Sequence, residues 1–427
     1  MNHVHIIGGG LAGLAAAVEL APQARVTLYE AAPHCGGRVR SFHTRSLDTV
    51  IDNGNHLILS ANHLTFRYLD TLDSRHTLKG PGQPLFPWYD LADGTAWTLN
   101  LSKGRVPWWL LNPRRRVPGM KMAEIASLGR ILRAGPEKTV AECLLPGEFS
   151  RRLLVPLALS ALNTDVESAS AELFAAIIKR TLMKGGQSCC PWTAAHGLSD
   201  TFINPAVAFI ERFGGAVRTR CRVAGLERAH GRVTKLETVS GPVEIGPDDS
   251  VIVALPATQT LHLLPEIPAP DGFEAILNAH YAVPGGVRTR GVVKKAGFIG
   301  MVGGIADWVF IHDRILSVTV SGANRFMEDD SETLLAHIWS DIRQALKPAV
   351  EQPLPLTMPE GRLVREKKAT FAATPLQAGQ RAGAAGPCLN LALAGAWTDT
   401  GLPSTIEGAI QSGLAAVAAL GYRSAWD

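Results

Sequence analysis

Long apolar runs are missing from this sequence. No stretch of its 427 residues reaches the roughly 18 uninterrupted apolar positions that a membrane-spanning helix needs. The N-terminus also lacks the basic region and the small-residue cleavage site of a secretory signal, because apolar residues 4–7 run straight into glycines. We therefore expect a cytoplasmic protein that touches a membrane only peripherally.

A strong charge of either sign is absent too. The 42 Lys and Arg residues nearly balance the 38 Asp and Glu residues, so the overall charge of +4 gives no reason to expect a nucleic-acid partner. The six cysteines form no C-x-x-C pair, and the adjacent Cys189 and Cys190 have no further ligands nearby. This spacing predicts reduced, mostly buried thiols and no metal centre. With 46% hydrophobic residues, the chain is typical of a large globular protein with two domains or one discontinuous pair.

What the sequence does contain is a nucleotide-binding pattern at its N-terminus. Residues 4–7 are typical of a short buried strand, and a glycine-rich turn follows at residues 8–13. An alanine-rich helix is predicted to run to about Ala21, and a second strand over residues 25–29 ends at Glu30. Together these segments predict the βαβ start of a Rossmann-type domain.

Each glycine of the turn has a separate predicted task. Gly8 permits the tight turn, Gly10 lets the backbone approach a pyrophosphate, and Gly13 allows the helix to pack closely on the strand. Leu11 and Ala12 lie where the helix N-terminus presents free N–H groups to phosphate oxygens.

Glu30 stands about 20 residues beyond the glycines, where a carboxylate accepts hydrogen bonds from a ribose diol. A carboxylate at this position would repel a 2′-phosphate, so NADP is disfavoured. These residues alone leave NAD and FAD both open.

The next segments narrow the choice. Gly37 and Arg38 follow the acidic residue, and residues 51–56 contain Asn53 and Gly54. On these motifs the sequence resembles the flavin amine oxidase and phytoene desaturase superfamily. The resemblance implies FAD as cofactor, with Gly37 and Arg38 along its pyrophosphate and the Asn53–Gly54 turn beside the flavin ring. Arg38 would then supply charge-assisted hydrogen bonds to phosphate.

Composition divides the chain further. Four tryptophans and six prolines interrupt the region after residue 64, which does not continue a doubly wound sheet. The resemblance implies an α/β fold of the amine oxidase type, in which an α+β substrate-binding domain is inserted into a discontinuous Rossmann-type FAD-binding domain. We expect the FAD-binding domain to comprise residues 1–63, 195–265 and 385–427, and the substrate-binding domain residues 64–194 and 266–384.

The later elements are predicted from the same patterns. The sequence favours helices over residues 198–213 and 331–346, and strands over residues 216–223, 250–256, 291–302, 308–320 and 389–394. In the resembling superfamily the strand that ends at Val223 belongs to the FAD-binding domain. The resemblance implies that the backbone of Val223 meets the adenine.

The C-terminal unit completes the predicted cofactor site. A strand leads into a turn with Gly395 and Asp399, and a helix begins at Ser404, Thr405 and Ile406. The resemblance implies that Asp399 bonds the ribityl or pyrophosphate region. It also implies that the helix N-terminus faces the pyrimidine edge and stabilises negative charge on reduced flavin.

Longer strings resemble one family within this superfamily, the squalene-associated hydroxysqualene dehydroxylases of bacterial hopanoid pathways. They lie at residues 10–20, 51–57, 307–310 and 396–409, and the resemblance covers essentially the whole chain. Asn55 departs from the pattern, in which glutamine is expected, so its role stays open. The resemblance implies that hydroxysqualene loses its hydroxyl as water, gains a hydride from N5 of reduced FAD, and becomes squalene.

Such a reaction needs a general acid. His56 and Asp52 lie on the loop expected near the flavin, and we take them as candidate catalytic residues. A histidine that shapes the turn through a backbone hydrogen bond is the alternative for His56, and a turn cap is the alternative for Asp52. Asp307 is a third candidate, for which solvent exposure is the favoured interpretation.

The implied substrate is a long-chain isoprenoid, which gains about 0.8 kcal/mol for each buried CH₂ and so partitions into the bilayer. Trp108, Trp109, Leu110 and Leu111 lie between basic residues, a composition typical of a tunnel mouth at an anionic membrane. We therefore predict peripheral docking on the inner face of the cell membrane. A packed lid with a solvated basic flank is the alternative.

Three rival functions stay open. A polyene desaturase or isomerase needs the same flavin and the same tunnel. A flavin amine oxidase usually needs tyrosines before the flavin, and none precedes Trp397 closely. A non-catalytic flavin-binding subunit that delivers lipid to a partner would need no acid. The electron donor that reduces the flavin is not identified by any residue pattern.

Overall fold

The computed structural model describes residues 2–424. Its strands are β1 His3–Ile7, β2 Arg25–Tyr29, β3 Ser41–Thr44, β4 Thr49–Asp52, β5 Ile58–Leu59, β6 Leu78–Lys79, β7 Leu85–Asp90, β8 Ala96–Asn100, β9 Pro191–Ala194, β10 Ala216–Arg218, β11 Val223–Ala229, β12 Arg232–Thr238, β13 Gly241–Glu244, β14 Ser250–Val253, β15 Phe273–Ala282, β16 Phe298–Val302, β17 Trp308–His312, β18 Ile315–Val320, β19 Gly361–Phe371 and β20 Leu391–Leu393.

The α-helices of the same residues are α1 Leu11–Leu20, α2 His63–Thr71, α3 Ala126–Leu132, α4 Val140–Cys143, α5 Val155–Leu162, α6 Ala171–Arg180, α7 Asn204–Arg212, α8 Ala257–Leu263, α9 Gly291–Ala296, α10 Ser331–Leu346, α11 Pro375–Gly379 and α12 Ile406–Ala419. π-Helical turns occur at Ser150–Leu154 and Ser199–Ile203. Short 3-10 helices occur at Arg75–Thr77, Trp108–Leu111, Met122–Ile125, Leu182–Lys184, Gly186–Cys189 and Ala323–Phe326.

A five-stranded parallel sheet has the order β10-β2-β1-β14-β20. Its strands come from widely separated parts of the sequence, with the first βαβ unit at the centre. The predicted strand, glycine turn, helix and strand at the N-terminus are confirmed, as is the α/β fold class. This strand order places the carboxyl ends of β1 and β2 at the edge where dinucleotides bind in such sheets.

Small residues let the helices pack closely around this sheet. A Cβ at Gly13 would lie 2.0 Å from the main-chain oxygen of Gly8, so only glycine allows α1 to begin so close to β1. A Cβ at Gly413 would lie 2.3 Å from the main-chain oxygen of Ala12. The final helix α12 therefore packs directly on α1, and the two ends of the chain share one core.

A seven-stranded mixed sheet has the order β19-β15-β18-β17-β16-β7-β8. Only the β16–β7 pair is parallel. Helix α10 covers one face through buried Leu334, Ile338 and Ile342, which pack in one cluster with Val309 and Val318. The opposite face carries large aromatic side chains that belong to a different core cluster.

Three predicted strands need correction. The strand expected at residues 216–223 ends at Arg218, because Arg220 adopts a left-handed backbone with φ of 55°. The strand expected at residues 291–302 begins instead as helix α9, which ends at the left-handed Gly297. Residues 308–320 form two strands, β17 and β18, because the chain reverses at Asp313 with φ of 48°.

The predicted helix at residues 331–346 is confirmed at both ends, with Asp330 capping it by accepting from the Thr333 N–H at 2.8 Å. The predicted helix at residues 198–213 starts as the π-helical turn and continues as α7. The strand expected at residues 389–394 is shorter, at β20. The residue boundaries of the two predicted domains stay a prediction.

The cysteine side chains are unpaired and mostly buried. All six cysteines are free, and five of them are buried, as predicted. Burial raises the pKa of Cys35 and Cys189 to about 12, which leaves both thiols protonated and unreactive at neutral pH.

Between residues 2 and 424, no helix has the combined length and apolar character that crossing a bilayer requires.

Candidate functional site

The glycine turn lies at the carboxyl end of β1. Gly10 forms the N-terminus of α1 without a side-chain cap, and α1 carries no acidic residue in its first turn. A Cβ at Gly10 would meet no heavy atom beyond its chain neighbours within 4 Å. Gly10 therefore leaves room beside the N-terminus of α1, as a pyrophosphate site requires, and the contact of Leu11 and Ala12 with phosphate stays a prediction.

Glu30 lies against this turn. Its two carboxylate oxygens accept from the Gly9 N–H at 2.8 Å and from the Ala32 N–H at 2.7 Å. A carboxylate has about four acceptor positions, so each oxygen keeps capacity for a ribose hydroxyl. The two main-chain hydrogen bonds to Glu30 are therefore compatible with its predicted binding of a ribose diol.

The segment with Gly37 and Arg38 lies beside the same turn. The Gly36 N–H donates to the Gly9 oxygen at 2.8 Å, and a Cβ at Gly37 would lie 3.5 Å from the Gly10 Cα. The Arg38 guanidinium donates from Nη1 to the main-chain oxygen of Ala369, on β19, at 2.5 Å. Arg38 is partly buried, and burial lowers the pKa of its guanidinium. Its contact with phosphate stays a prediction.

The loop after β4 is tied to the seven-stranded sheet. Asn53 is buried, and its main-chain oxygen accepts from the Asn278 side-chain amide at 3.1 Å. Asn55 donates from Nδ2 to the Thr319 hydroxyl at 3.1 Å, and that hydroxyl donates to Asn278 Oδ1 at 3.0 Å. A Cβ at Gly54 would lie 3.6 Å from the Asn278 amide nitrogen. Asn55 therefore has a defined partner despite its departure from the expected glutamine.

His56 follows on this loop. Burial and the charge of Arg38 lower its pKa to about 4, against the opposing effect of a hydrogen bond to the Arg38 main chain. The ring is therefore neutral at pH 7. The backbone hydrogen bond is the one expected of a turn-shaping histidine, and a role as general acid stays a prediction.

The other two candidate acids have structural partners. Asp52 Oδ1 accepts from the Ser41 hydroxyl at 2.5 Å and from the Leu198 N–H at 2.9 Å, which joins the β3–β4 hairpin to the start of the π-helical turn. These bonds support the turn-cap interpretation of Asp52. Asp307 was expected to be exposed, which is wrong. Its carboxylate is partly buried and accepts from the Ser321 N–H at 2.6 Å, and burial raises its pKa to about 6.

The C-terminal turn meets the glycine turn across the loop that follows β14. A Cβ at Gly8 would clash with Ala254 and contact Leu255, and a Cβ at Gly395 would lie 3.4 Å from the Leu255 oxygen. Both ends of the predicted cofactor site therefore share one supporting segment. Asp399 is exposed and accepts at Oδ1 from Arg381 Nη2 at 2.9 Å.

Helix α12 begins at this turn. Thr405 caps it by accepting from the Gly408 N–H at 3.0 Å, and Ile406 is buried. The Ser404 hydroxyl oxygen is buried and has no hydrogen-bond partner within residues 2–424. Glu407 bonds instead to the first turn of α2, accepting from the Thr65 N–H at 2.9 Å and from its hydroxyl at 2.6 Å.

These features fit a flavin dinucleotide. The uncapped α1 and the space at Gly10 suit the pyrophosphate, and the unsatisfied Ser404 hydroxyl lies at a second helix N-terminus suited to the polar edge of the ring. Val223, expected at the adenine, is buried at the start of β11.

An aromatic wall lines the face of the seven-stranded sheet opposite α10; we use this name for the buried side chains of Trp88, Phe298, Trp308 and Phe310. The ring centroids of Trp88 and Trp308 are 4.7 Å apart, those of Phe298 and Trp308 5.7 Å, and those of Phe298 and Phe310 6.0 Å. The strand register places Trp308 opposite Thr319, and Thr319 opposite Asn278. One row of the sheet thus runs from the indoles to the polar pair that holds the loop of residues 53–56.

Helix α5 packs against this wall. Ser160 accepts from the Trp308 indole N–H at 2.7 Å. The helix has no charged residue, yet Val155 and Leu157 remain partly exposed and Ser160 is exposed. An apolar helix with uncovered side chains beside aromatic rings provides a surface for an apolar ligand.

The local structure of the predicted membrane segment exposes two of its four apolar residues and buries the other two. Residues Trp108–Leu111 form a 3-10 helix, in which positions three apart share a face. Trp108 and Leu111 are 64% and 63% exposed, whereas Trp109 and Leu110 are buried in the core. The expectation that all four residues form the membrane mouth is therefore wrong for Trp109 and Leu110.

Sequence reasoning missed several residues that shape the site. Asn278 and Thr319 lie on strands that read as apolar, and Arg381 and Glu407 act across large sequence separations. The available signal was the polar Asn278 between the apolar Leu277 and Ala279. Such a residue needs a partner, and the sequence does not say which.

Comparisons with known proteins extend these observations. A family model described as flavin containing amine oxidoreductase matches residues 11–421. The hydroxysqualene dehydroxylase of Zymomonas mobilis is 40% identical over 416 residues, which cover 97% of both chains. The hydroxysqualene dehydroxylase of Sinorhizobium fredii is 38% identical over 414 residues, or 96% of both chains.

Solved structures share the fold. Cyclohexylamine oxidase from Brevibacterium oxydans superimposes with a TM-score of 0.66 at 15% identity, covering 98% of this chain and 99% of that one. An oxidoreductase from Methanosarcina mazei gives a TM-score of 0.67 at 14% identity, covering 96% of this chain and 99% of that one. At such identities the likeness concerns the architecture alone.

Proposed function

The chain belongs to the family of flavin-containing amine oxidoreductases, and from that premise we propose that it is an FAD-dependent oxidoreductase that converts hydroxysqualene to squalene. The two relatives named above carry that activity in their names and match nearly the whole chain. The substrate class is a long-chain isoprenoid, and the pathway is squalene and hopanoid biosynthesis.

The observation that carries the proposal is the position of the aromatic wall. Its buried indoles lie in the same row of the sheet as Thr319 and Asn278, which hold the loop of residues 53–56. An isoprenoid packed along this wall would present one end to that loop and the remainder to apolar side chains. An amine substrate would gain little from such a surface, whereas a hydrocarbon gains about 25 cal/mol for each Å² buried.

The residues of the chain have separate tasks in this reaction. Gly10, Glu30 and the α12 N-terminus bind FAD, which in its reduced form supplies the hydride that replaces the hydroxyl. The aromatic wall excludes water that would compete for an allylic cation. We propose that His56 or Asp52 holds the proton that leaves with the hydroxyl as water. The overall change consumes hydroxysqualene and reduced FAD and yields squalene, water and FAD, so an external electron donor must reduce the flavin again.

We further propose that the protein works on the cytoplasmic face of the cell membrane. Exposed apolar side chains lie in and beside the 3-10 helix, at Val106, Trp108, Leu111, Met122 and Met183. Between Asp93 and Glu124 the sequence has no acidic residue but contains Lys103, Arg105, Arg114, Arg115, Arg116 and Lys121. Indoles and leucines among cations favour an anionic bilayer, where the substrate is dissolved.

Anaerobic single turnover tests the catalytic proposal. The purified flavin-loaded protein is photoreduced and mixed with hydroxysqualene, and flavin absorbance and lipid mass are followed. We expect reoxidation together with squalene, which lacks one oxygen relative to the substrate. Squalene itself is the matched control and should leave the flavin reduced.

Other results would contradict it. Oxidised flavin that removes hydrogens from a polyene, with no loss of oxygen from hydroxysqualene, would identify a desaturase. Reduced flavin that stays reduced with hydroxysqualene would leave the lipid-delivery function.

A further inference from the structure

A cluster of side chains with metal-ligating atoms lies at the opposite end of the parallel sheet from the glycine turn. His3 and His5 alternate along β1 and so share one face of the strand. β14 pairs with β1 so that Ser250 lies beside Val4, which places Asp249 next to His3. The His3 N–H donates to Asp249 Oδ1 at 3.2 Å.

The three side chains converge on one point. One ring nitrogen of each histidine and one carboxylate oxygen of Asp249 lie within 4.8 Å of one another. His5 is 2% exposed, and its Nε2 has no hydrogen-bond partner in the described part of the chain. This nitrogen lies 3.9 Å from Asp249 Oδ2. A buried imidazole nitrogen left unsatisfied and directed toward a carboxylate and a second imidazole is unusual in a folded protein.

The neighbouring strand orients both rings. The Tyr29 hydroxyl lies 3.0 Å from His5 Nδ1, and the Thr27 hydroxyl lies 2.8 Å from His3 Nε2, both on β2. Metal-binding histidines nearly always have their second ring nitrogen held by such an outer partner. For His5 this arrangement leaves Nε2 as the nitrogen that faces the cluster.

We propose that His3, His5 and Asp249 bind one divalent transition-metal ion, for which Zn²⁺ is the representative. Two imidazole nitrogens and one carboxylate oxygen suit Zn²⁺, with water as a fourth ligand. Asp249 also accepts from the Gly246 N–H at 2.9 Å, which leaves acceptor positions for a metal. The ion would join the N-terminal strand to the loop before β14 and act as a structural clamp.

Neighbouring charges limit the expected affinity for the metal ion. The positive charges of Arg25 and Arg218 lie near both histidines and would repel an added cation. We therefore expect micromolar affinity for Zn²⁺. The site lies at the amino end of β1, whereas the predicted flavin site lies at its carboxyl end. Binding should therefore stabilise the fold without entering the reaction.

The test uses flavin-loaded, tag-free protein that has been stripped with a chelator. Zn²⁺ is titrated by calorimetry, and thermal unfolding is followed with and without Zn²⁺. We expect one ion for each chain and a rise in Tm of about 3 °C when Zn²⁺ is about 100 times its Kd. Asp249→Asn and His3→Gln should each weaken binding at least tenfold, while the exposed His262→Gln should bind like wild type.

Two outcomes would overturn the proposal. One is the absence of saturable binding below about 1 mM Zn²⁺. The other is unchanged affinity in both Asp249→Asn and His3→Gln when their flavin content shows that they are folded. Neither outcome depends on turnover of hydroxysqualene, so the catalytic proposal stands or fails separately.

Discussion

Asn278 donates its side-chain amide to the main-chain oxygen of Asn53 over 3.1 Å, although 225 residues separate them. This bond joins the sheet that bears the aromatic wall to the loop expected beside the flavin. The same side chain accepts from the Thr319 hydroxyl at 3.0 Å, so both of its polar atoms are used. Together with the bond from Asn55 to Thr319, this amide holds the loop of residues 53–56 against the seven-stranded sheet.

We expect Asn278→Ala to lower the free energy of unfolding by about 1–3 kcal/mol, because the Asn53 oxygen loses the side-chain donor and the Thr319 hydroxyl loses its acceptor. Flavin affinity should fall as well. Denaturant unfolding and equilibrium dialysis measure the two effects. The exposed Asn204, bonded to Asp200, offers Asn204→Ala as a control. Equal stability of the two variants would show that the amide link contributes nothing.

Glu30→Gln should weaken FAD binding at least tenfold, because a neutral amide replaces the carboxylate that accepts from the ribose diol. FMN lacks the adenosine ribose, so its affinity should stay close to that of wild type. The ratio of flavin absorbance to protein absorbance after gel filtration gives the measurement. Glu227→Gln, on the exposed end of β11, is the control. Equal losses of FMN and FAD would point to a disturbed glycine turn instead.

His56→Gln should retain FAD and slow reoxidation by hydroxysqualene about 100-fold, the usual contribution of a general acid. Its pKa of about 4 makes the charged ring scarce at pH 7 and more abundant as the pH falls. The wild-type rate should therefore rise about tenfold for each pH unit between 7 and 5. Stopped-flow traces of flavin absorbance test both points. Unchanged turnover in the variant would remove His56 from the mechanism and leave it as a turn residue.

Acid should destabilise the fold. Burial lowers the pKa of His56, His280 and His312 from 6.5 to about 4. The unfolded chain therefore binds more protons between pH 6.5 and 4, so their stabilising effect is complete above pH 6.5 and is lost as the pH falls toward 4. Each contributes on the order of a few kcal/mol. Asp307, with its raised pKa, offsets part of this loss below pH 6.

Urea unfolding at pH 7.5, 6 and 5 gives the measurement. His280→Gln should show a shallower dependence on pH than wild type, and His262→Gln the same dependence. A wild-type stability that does not fall between pH 7.5 and 5 would contradict the expectation.

Trp108→Ser combined with Leu111→Ser should reduce binding to anionic vesicles at least tenfold, because each exposed side chain gains about 1.5–3 kcal/mol on burial. Co-sedimentation with vesicles of anionic and of zwitterionic lipid measures it, and added salt should weaken the anionic binding. Leu376→Ser removes a leucine that is 69% exposed outside the basic segment and serves as the control. Equal loss in the control would exclude a specific docking face.

Local patterns were sufficient for the N-terminal βαβ unit. The strand, the glycine turn and the strand that ends at Glu30 obey short-range rules of period and turn geometry, and they were predicted correctly. The predictions failed where tertiary packing outweighed propensity. Residues 291–296 form helix α9, although Val292 and Val293 favour a strand, because the helix buries Val293 and Ala296. The left-handed Gly297 after it was the available helix-end signal.

The sequence by itself determined the family and the N-terminal strand, glycine turn, helix and strand, because those depend on neighbours along the chain. Only the tertiary structure decided that Trp109 is buried while Trp108 is exposed, that Asn278 holds the loop of residues 53–56, and that His5 faces Asp249. Such contacts depend on sheet register and on the packing of distant segments. A one-dimensional pattern does not encode which buried polar groups will meet, since each has many partners of equal chemistry.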